Sequence, residues 1–332
     1  MSVQEALVKH LSTLLRESKS TLMVVLSDEN GLSIAKVARS ADVPLDPAAI
    51  TSVSAAAYSS SEENWTDLGI REQIIAFSFF SKLCLVTIRI NQTLLTIVHD
   101  FNQHWPLNAD VLGSVVYSLR QEVENFFGPY PHAIDTIDDF SNKVRSAAYL
   151  FGMGTEIGFT SYAPQMPGAE IIQQISSIMD SVQNPVFSRY ALVNPSGLTL
   201  DARDISGQNL PITVEAFSAN ANVGFQKMVE EAEGMQIGSL LAYACISGPD
   251  AENLYGILAC PSGRLAFSDP TTQISNVQEV SFVALFPLVY GAVPVMGEAR
   301  NIVYSILEVI GGDERAESFI NVVNIIQETK IQ

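Results

Sequence analysis

Few side chains in this chain stand at spacings that support chemistry. The four histidines and three cysteines form none of the C-x-x-C or H-x-x-x-H spacings that place ligands around one metal ion. His99 and Asp100 are adjacent and could act as a base and its orienting acid, but no G-x-S-x-G nucleophile turn accompanies them. The matching place in the second half of the chain has Ser268 and Asp269, without a histidine. We therefore assign no catalytic residue and no metal ligand.

The glycine-rich segments do not predict a nucleotide site either. Residues 152–158 (GMGTEIG) resemble a dinucleotide-binding turn, but the third glycine comes one place late and no strand-to-helix turn surrounds it. The chain also lacks the G-x-x-x-x-G-K-S/T loop that cradles a nucleoside triphosphate. We expect no bound cofactor and no enzymatic activity.

Composition limits the classes of partner. The chain has 332 residues, with 36 acidic and 18 basic side chains and a formal net charge of −18. This charge opposes binding to nucleic acid or to an anionic membrane. Cys84, Cys245 and Cys260 all fall in predicted strands, which favours small buried side chains over disulfides. The sequence starts as an amphipathic helix without a secretory signal pattern, so we expect a cytoplasmic protein.

One uncharged segment, 280–296, approaches the length of a membrane-spanning helix. Pro287, Gly291 and Pro294 count against such a helix. We predict instead that this segment is the buried closing helix of the second half, and that the chain has no membrane span.

The elements that would position any site occur twice. The turns 27–32 (SDENGL) and 193–198 (VNPSGL) each follow an amphipathic helix and a strand and lead into a second strand. A helix predicted to start at proline follows in each half, at Pro47 and at Pro211. Three more strands and a helix complete the order α-β-β-α-β-β-β-α. In the second half we expect strands at 237–246, 254–260 and 264–268 and a closing helix near 276–293.

The repeat predicts a division of the chain into four parts. These are a first domain at 1–127, a linker with a helix at 128–167, a second domain at 168–294 and a helical extension at 295–332. Two domains of this size can each bury a core.

This order of elements, the D-x-x-G-L turn at residues 28–32 and the alanine-rich second helix at 50–58 resemble the roadblock / dynein light chain family. The resemblance covers nearly the whole chain as two tandem copies. It implies an α/β fold (α+β) in which two roadblock-like domains each have a five-stranded, mainly antiparallel sheet sandwiched by helices. It also implies that two such sheets join edge to edge, with their second helices side by side.

A tandem chain can make this pair internally, and pairing removes exposed sheet edges. We therefore predict an intrachain pseudo-dimer in which segment 74–80 pairs with segment 237–246.

The resemblance further implies a non-catalytic regulator or scaffold of Ras-like small GTPases. Arg71, Arg203 and Arg264 stay open as side chains that reach such a partner. Two alternatives also stay open: a dynein-type adaptor or small-ligand sensor without a GTPase partner, and a hydrolase whose site the sequence does not reveal. We expect the partner to bind the paired second helices. The exposed residues predicted there are Glu62, Glu63, Lys227, Glu230 and Glu231.

Overall fold

The structure is a computed structural model of the chain. It describes residues 2–40, 45–100, 107–131, 134, 136–151, 171–182, 186–205, 207, 209–233, 237–268, 275–311 and 313–329. The dinucleotide-like segment 152–158 and Asp269 lie outside the described residues.

The first repeat contains four helices and five strands. In chain order they are α1 (Val3–Glu17), β1 (Thr21–Asp28), β2 (Ser33–Ala38), α2 (Pro47–Asp67), β3 (Ile75–Phe80), β4 (Leu83–Ile90), β5 (Thr93–Asp100), α3 (Ala109–Phe127) and α4 (Ile137–Leu150).

The second repeat has the same order of elements, with a short 3-10 helix, Leu288–Tyr290, before its third α-helix. Its elements are α5 (Ile171–Asp180), β6 (Arg189–Val193), β7 (Thr199–Asp204), α6 (Val214–Ala232), β8 (Leu240–Ser247), β9 (Tyr255–Ser268), β10 (Ser275–Pro287), α7 (Ala292–Ile310) and α8 (Glu314–Thr329).

All ten strands form one sheet, in the order β2-β1-β5-β4-β3-β8-β9-β10-β6-β7. The two five-stranded halves meet where β3 pairs antiparallel with β8, with Phe77 opposite Ala244 and Ser78 opposite Tyr243. Both the predicted fold class and the predicted pairing of these two segments are confirmed. The chain is therefore an intrachain pseudo-dimer with one continuous sheet.

Helices cover both faces of the sheet. On one face α2 and α6 pack over a core that includes Tyr58, Trp65 and Phe225. The other helices pack on the opposite face, over a core that includes Phe77 and Phe282. Each core contains buried residues of both repeats, and β3 and β8 are buried along their whole length. A strand buried on both faces loses the polar and apolar alternation of a half-exposed strand.

This double burial explains why the prediction of a closing helix, near 276–293 or over the uncharged segment 280–296, is wrong. Most of this stretch is strand β10, and the third helix of the repeat begins only at Ala292. The uncharged run has no alternation because β10 lies between buried neighbours, and such a run cannot be told from a buried helix by periodicity. Among the described residues, no helix is long and apolar enough to cross a membrane.

Three smaller predictions for the second repeat also need correction. The strands predicted at 254–260 and 264–268 form the single strand β9, which pairs along β10. Helix α6 starts at Val214 with Thr213 as its N-cap, so Pro211 lies before the helix. The predicted boundary between 294 and 295 falls inside α7. The other domain boundaries stay predictions, and α4, inside the predicted linker, packs on α3 and β3.

Candidate partner-binding surface

The two second helices lie side by side on one face of the sheet. Asp46 caps α2 by accepting a hydrogen bond from the Ala48 backbone N–H, and Pro47 occupies the first turn as predicted. The helices approach closely at Gly224, where an added Cβ would lie 3.4 Å from the Cβ of Ser60. We call the outward side of α2 and α6, together with the turns 28–32 and 194–198, the paired-helix face.

The two turns have the same construction. The Asp28 carboxylate accepts hydrogen bonds from the backbone N–H groups of Asn30 and Leu32, at 3.0 and 2.7 Å. The Asn194 side-chain oxygen likewise accepts from the Leu198 N–H at 2.8 Å. Such bonds are typical of Asx turns. The glycines that the sequence placed here have φ of +85° at Gly31 and +82° at Gly197, which favours glycine over any other residue.

Each turn contacts its helix and leaves a leucine in solvent. A Cβ on Gly31 would meet the backbone of Ser52 at 3.0 Å, so the first turn lies directly against α2. Leu32 and Leu198 are 70% and 61% exposed. A leucine is thus exposed at the corresponding place in both repeats.

Between the turns the face is built mostly from small side chains. The small or short side chains that are exposed or half-buried on the two helices include Ser52, Ala56, Ser59, Ser60, Ala216, Ala219 and Asn220. Val223 is larger and 56% exposed. Asn220 donates a 2.7 Å hydrogen bond to the Asp67 carboxylate, which ties the two helices together at this end.

The predicted partner-binding residues divide into two groups. Glu63, Lys227 and Glu230 are exposed on the face. Glu62 and Glu231 are half-buried, so the prediction that they are exposed is wrong for these two. Burial raises the pKa of both carboxyls, against the opposing effects of Arg89 on Glu62 and of Lys227 on Glu231.

Glu62 belongs to an ion-pair cluster that the sequence did not reveal. Arg89, on β4, donates two 2.8 Å hydrogen bonds to the Glu62 carboxylate and lies 3.7 Å from Glu29 of the first turn. Its guanidinium also lies over the ring of Tyr58, 5.4 Å from the centroid. Because Glu62 and Glu29 belong to α2 and the turn, Arg89 connects both to the sheet.

The second repeat holds its turn with neutral groups. Asn222, on α6, donates to the Asn194 carbonyl at 2.7 Å, and the Asn194 amide donates to the Gln278 side chain at 3.1 Å. Val229 occupies the position equivalent to Glu62, so α6 has no carboxylate there that could form the equivalent ion pair. The two turns occupy equivalent places in the repeats but are held by side chains of different types. A comparison of the two repeat sequences therefore did not reveal these contacts.

A buried polar network lies under the helices where the repeats join. The Tyr243 and Ser61 hydroxyls are 2.6 Å apart, and Tyr58 donates to the Gln73 carbonyl at 2.7 Å. Burial raises the pKa of the Cys245 thiol to about 12. The thiol is therefore protonated at neutral pH, which favours the predicted structural role of this cysteine.

The histidine and aspartate that we considered as a dyad do not form an accessible site. His99 is 3% exposed in β5, and its Nδ1 lies 3.2 Å from the Thr21 hydroxyl. Burial lowers the pKa of His99 to about 4. The imidazole is neutral near pH 7 and is closed off from any substrate.

The three arginines considered as partner contacts have different surroundings. Arg203 is held by the carboxylates of Asp180 and Asp201. Arg264 is 60% exposed and lies 3.6 Å from Asp313, and Arg71 is half-buried in the loop before β3. None of the three belongs to α2 or α6.

Two small cavities lie next to the paired helices. A cavity of about 10 Å³ lies under the helices beside Ser61 and Tyr243. An open groove of about 260 Å³ is lined by α6, the start of β8 and Arg315. Both are smaller than typical ligand pockets, which measure about 300–1,000 Å³.

Comparisons with known proteins give structural likenesses only. A scan against protein-family models finds no match, and no curated protein matches this chain. Among solved structures, the chain is similar to the gliding protein MglB of Thermus thermophilus, at 17% identity over 38% of this chain and 93% of that one, with a TM-score of 0.35.

Two further likenesses are of the same kind. A roadblock/LC7 domain from Streptomyces avermitilis matches at 17% identity over 37% of this chain and 98% of its own, with a TM-score of 0.29. MglB of Myxococcus xanthus matches at 19% identity over 36% of this chain and 94% of its own, with a TM-score of 0.27. Similarities with identities and TM-scores this low do not indicate what this chain binds.

Proposed function

We propose that this chain is a non-catalytic regulator or scaffold that binds a Ras-like small GTPase through the paired-helix face. One observation carries the proposal: β3 and β8 join the two half-sheets within a single chain, and α2 and α6 thereby lie side by side. This is the arrangement that the resemblance to the roadblock family associates with GTPase partners.

The side chains on the face support protein binding. Leu32, Leu198 and Val223 are each more than half exposed, and burying such a side chain contributes about 1–3 kcal/mol. The small residues between them allow close approach of a partner backbone. The face is formed within the chain, so no second copy has to be ordered before the partner binds.

The proposed role requires no reaction at this surface. A regulator of this kind acts by positioning the switch segments and catalytic groups of the GTPase itself. Since Ras-like GTPases act in the cytoplasm, the proposed role includes a cytoplasmic location.

The test is size-exclusion chromatography with light scattering. The chain is run alone and with each Ras-like GTPase of its source, loaded with GDP or with a GTP analogue, at tens of micromolar. We expect one GTPase to co-elute in one nucleotide state, and we expect the variant with Leu32→Asp and Leu198→Asp to lose it. No association with any GTPase in either state would refute the proposal.

A matched control uses an exposed apolar residue away from the face. Val289, on the 3-10 helix that packs against α4 and α7, is 67% exposed. Val289→Asp should leave GTPase binding within about twofold. If Val289→Asp abolished binding and the leucine variant did not, the partner would bind the opposite face.

A further inference from the structure

The two halves of the paired-helix face can be compared position by position. Asp46 and Thr213 are the N-caps of α2 and α6. Counting from these caps, Tyr58 and Phe225 are equivalent, and both side chains are fully buried. The contacts of the turn glycines agree, since Gly31 packs on Ser52 and Gly197 packs on the equivalent Ala219.

Among the exposed or half-buried positions that differ between the two helices, two stand one helical turn apart. The half-buried Ala56 on α2 is equivalent to Val223 on α6, which is 56% exposed. The half-buried Ser60 is equivalent to the exposed Lys227. Val223 and Lys227 are four residues apart, so they lie on the same side of the helix. The exposed pair Glu63 and Glu230 is identical in the two repeats, whereas Ala48 and Glu215, exposed near the starts of the helices, differ.

Lys227 also differs from its surroundings in charge. It is the one basic residue in α2 and α6, which together have six acidic residues. It stands in the exposed stripe next to the largest exposed apolar side chain of the two helices. The α2 stripe has neither a cation nor a large apolar group at the equivalent place.

We infer that the partner recognises Val223 and Lys227 of the second repeat and therefore binds in one orientation, although the sheet beneath is nearly two-fold symmetric. The inference rests on the proposed function, because it concerns the same face and the same GTPase. A partner acidic side chain opposite Lys227, with an apolar contact on Val223, fits this half and finds only Ser60 and Ala56 on the other. The discrimination comes from contacts that the reversed orientation lacks.

The test exchanges the second repeat's residues for those of the first. In the full chain, V223A/K227S makes α6 match α2 at these positions, and affinity for the GTPase is measured by isothermal titration calorimetry. We expect at least a tenfold loss, with an unchanged thermal unfolding midpoint because both side chains are exposed. The control V289A removes an exposed valine that lies away from the paired-helix face and should bind within twofold of the parent.

The possible outcomes separate this inference from the proposed function. If the parent chain binds and V223A/K227S binds equally well, the inference fails and the proposed function stands. If V289A loses as much affinity as V223A/K227S, the loss is not specific to Val223 and Lys227, and the inference is again overturned. If the parent binds no GTPase in either nucleotide state, the proposed function itself fails.

Discussion

Two buried ionisable residues of the first repeat are stabilised in different ways. Burial of His99 lowers its pKa to about 4, so the imidazole stays neutral near pH 7. Arg89 is also largely buried, but the Glu62 carboxylate lies 2.8 Å from its guanidinium, and this attraction opposes the cost of burying the charge of Arg89. His99 therefore makes the stability of the fold sensitive to acid, whereas Arg89 makes it sensitive to the loss of Glu62.

We predict that His99 makes stability fall with acidification. Its pKa is about 4 in the folded chain, against 6.5 for a histidine in water, so the unfolded state takes up the proton first as pH falls. The contribution is complete above pH 6.5 and is lost between pH 6.5 and pH 4; at pH 5 the loss is about 2 kcal/mol. Urea unfolding of the parent and of His99→Gln at pH 7 and pH 5 measures it. A parent that lost no more stability than the variant would contradict the assignment.

We predict that Arg89→Leu destabilises the fold by about 1–3 kcal/mol, because Glu62 then stays partly buried without its partner. Adding Glu62→Gln to this variant should recover part of the loss, since the amide carries no charge. Denaturant unfolding of the parent, both single variants and the double variant gives the coupling energy. Additive effects of the two substitutions would show that the ion pair contributes nothing to stability.

At the scale of elements, the sequence correctly predicts the helices, strands and turns that have a distinct local signal. The turn glycines, the helix start at Pro47 and the amphipathic helices are such cases, because their signals depend on neighbours along the chain. Strand β10 is not, because its burial comes from β6, β9 and the helices on both faces. The cluster of Arg89, Glu62 and Glu29 was missed for the same reason, since its members come from three separate elements.

Strand β9 contains a position that we expect to accept only glycine. Gly263 has a φ of +130°, and an added Cβ would lie 2.6 Å from Cδ1 of Ile310 on α7. Gly263→Ala should therefore cost about 2–4 kcal/mol from backbone strain and overpacking together. Gly128, with a φ of +87° and no atom within 4 Å of an added Cβ, is the matched control. Gly128→Ala should cost about 1 kcal/mol, and equal losses by denaturant unfolding would argue against the contact with α7.

At the scale of the whole molecule, the predicted join of the two half-sheets is confirmed, because exposed edges of small sheets favour pairing. Each of the two cores contains residues of both repeats, and Lys143 of α4 donates to the Pro249 carbonyl of the second repeat at 3.1 Å. The repeats are thus similar in architecture but are not independent in packing.

We predict that the two repeats unfold together. Because the β3–β8 pairing and both cores cross between them, unfolding one repeat exposes buried surface of the other. Differential scanning calorimetry should give a single transition with calorimetric and van't Hoff enthalpies that agree. Two resolved transitions would mean that the shared cores contribute little to cooperativity.

Because β3 and β8 pair within one chain, the binding surface does not depend on protein concentration. Two separate chains that met at this edge would obey mass action, and their binding surface would disappear below the dissociation constant of the dimer. In one chain the second half is always present at a high effective concentration, so the surface persists at any expression level. The covalent link also lets substitutions accumulate in one half without being copied into the other, which an obligate homodimer does not permit.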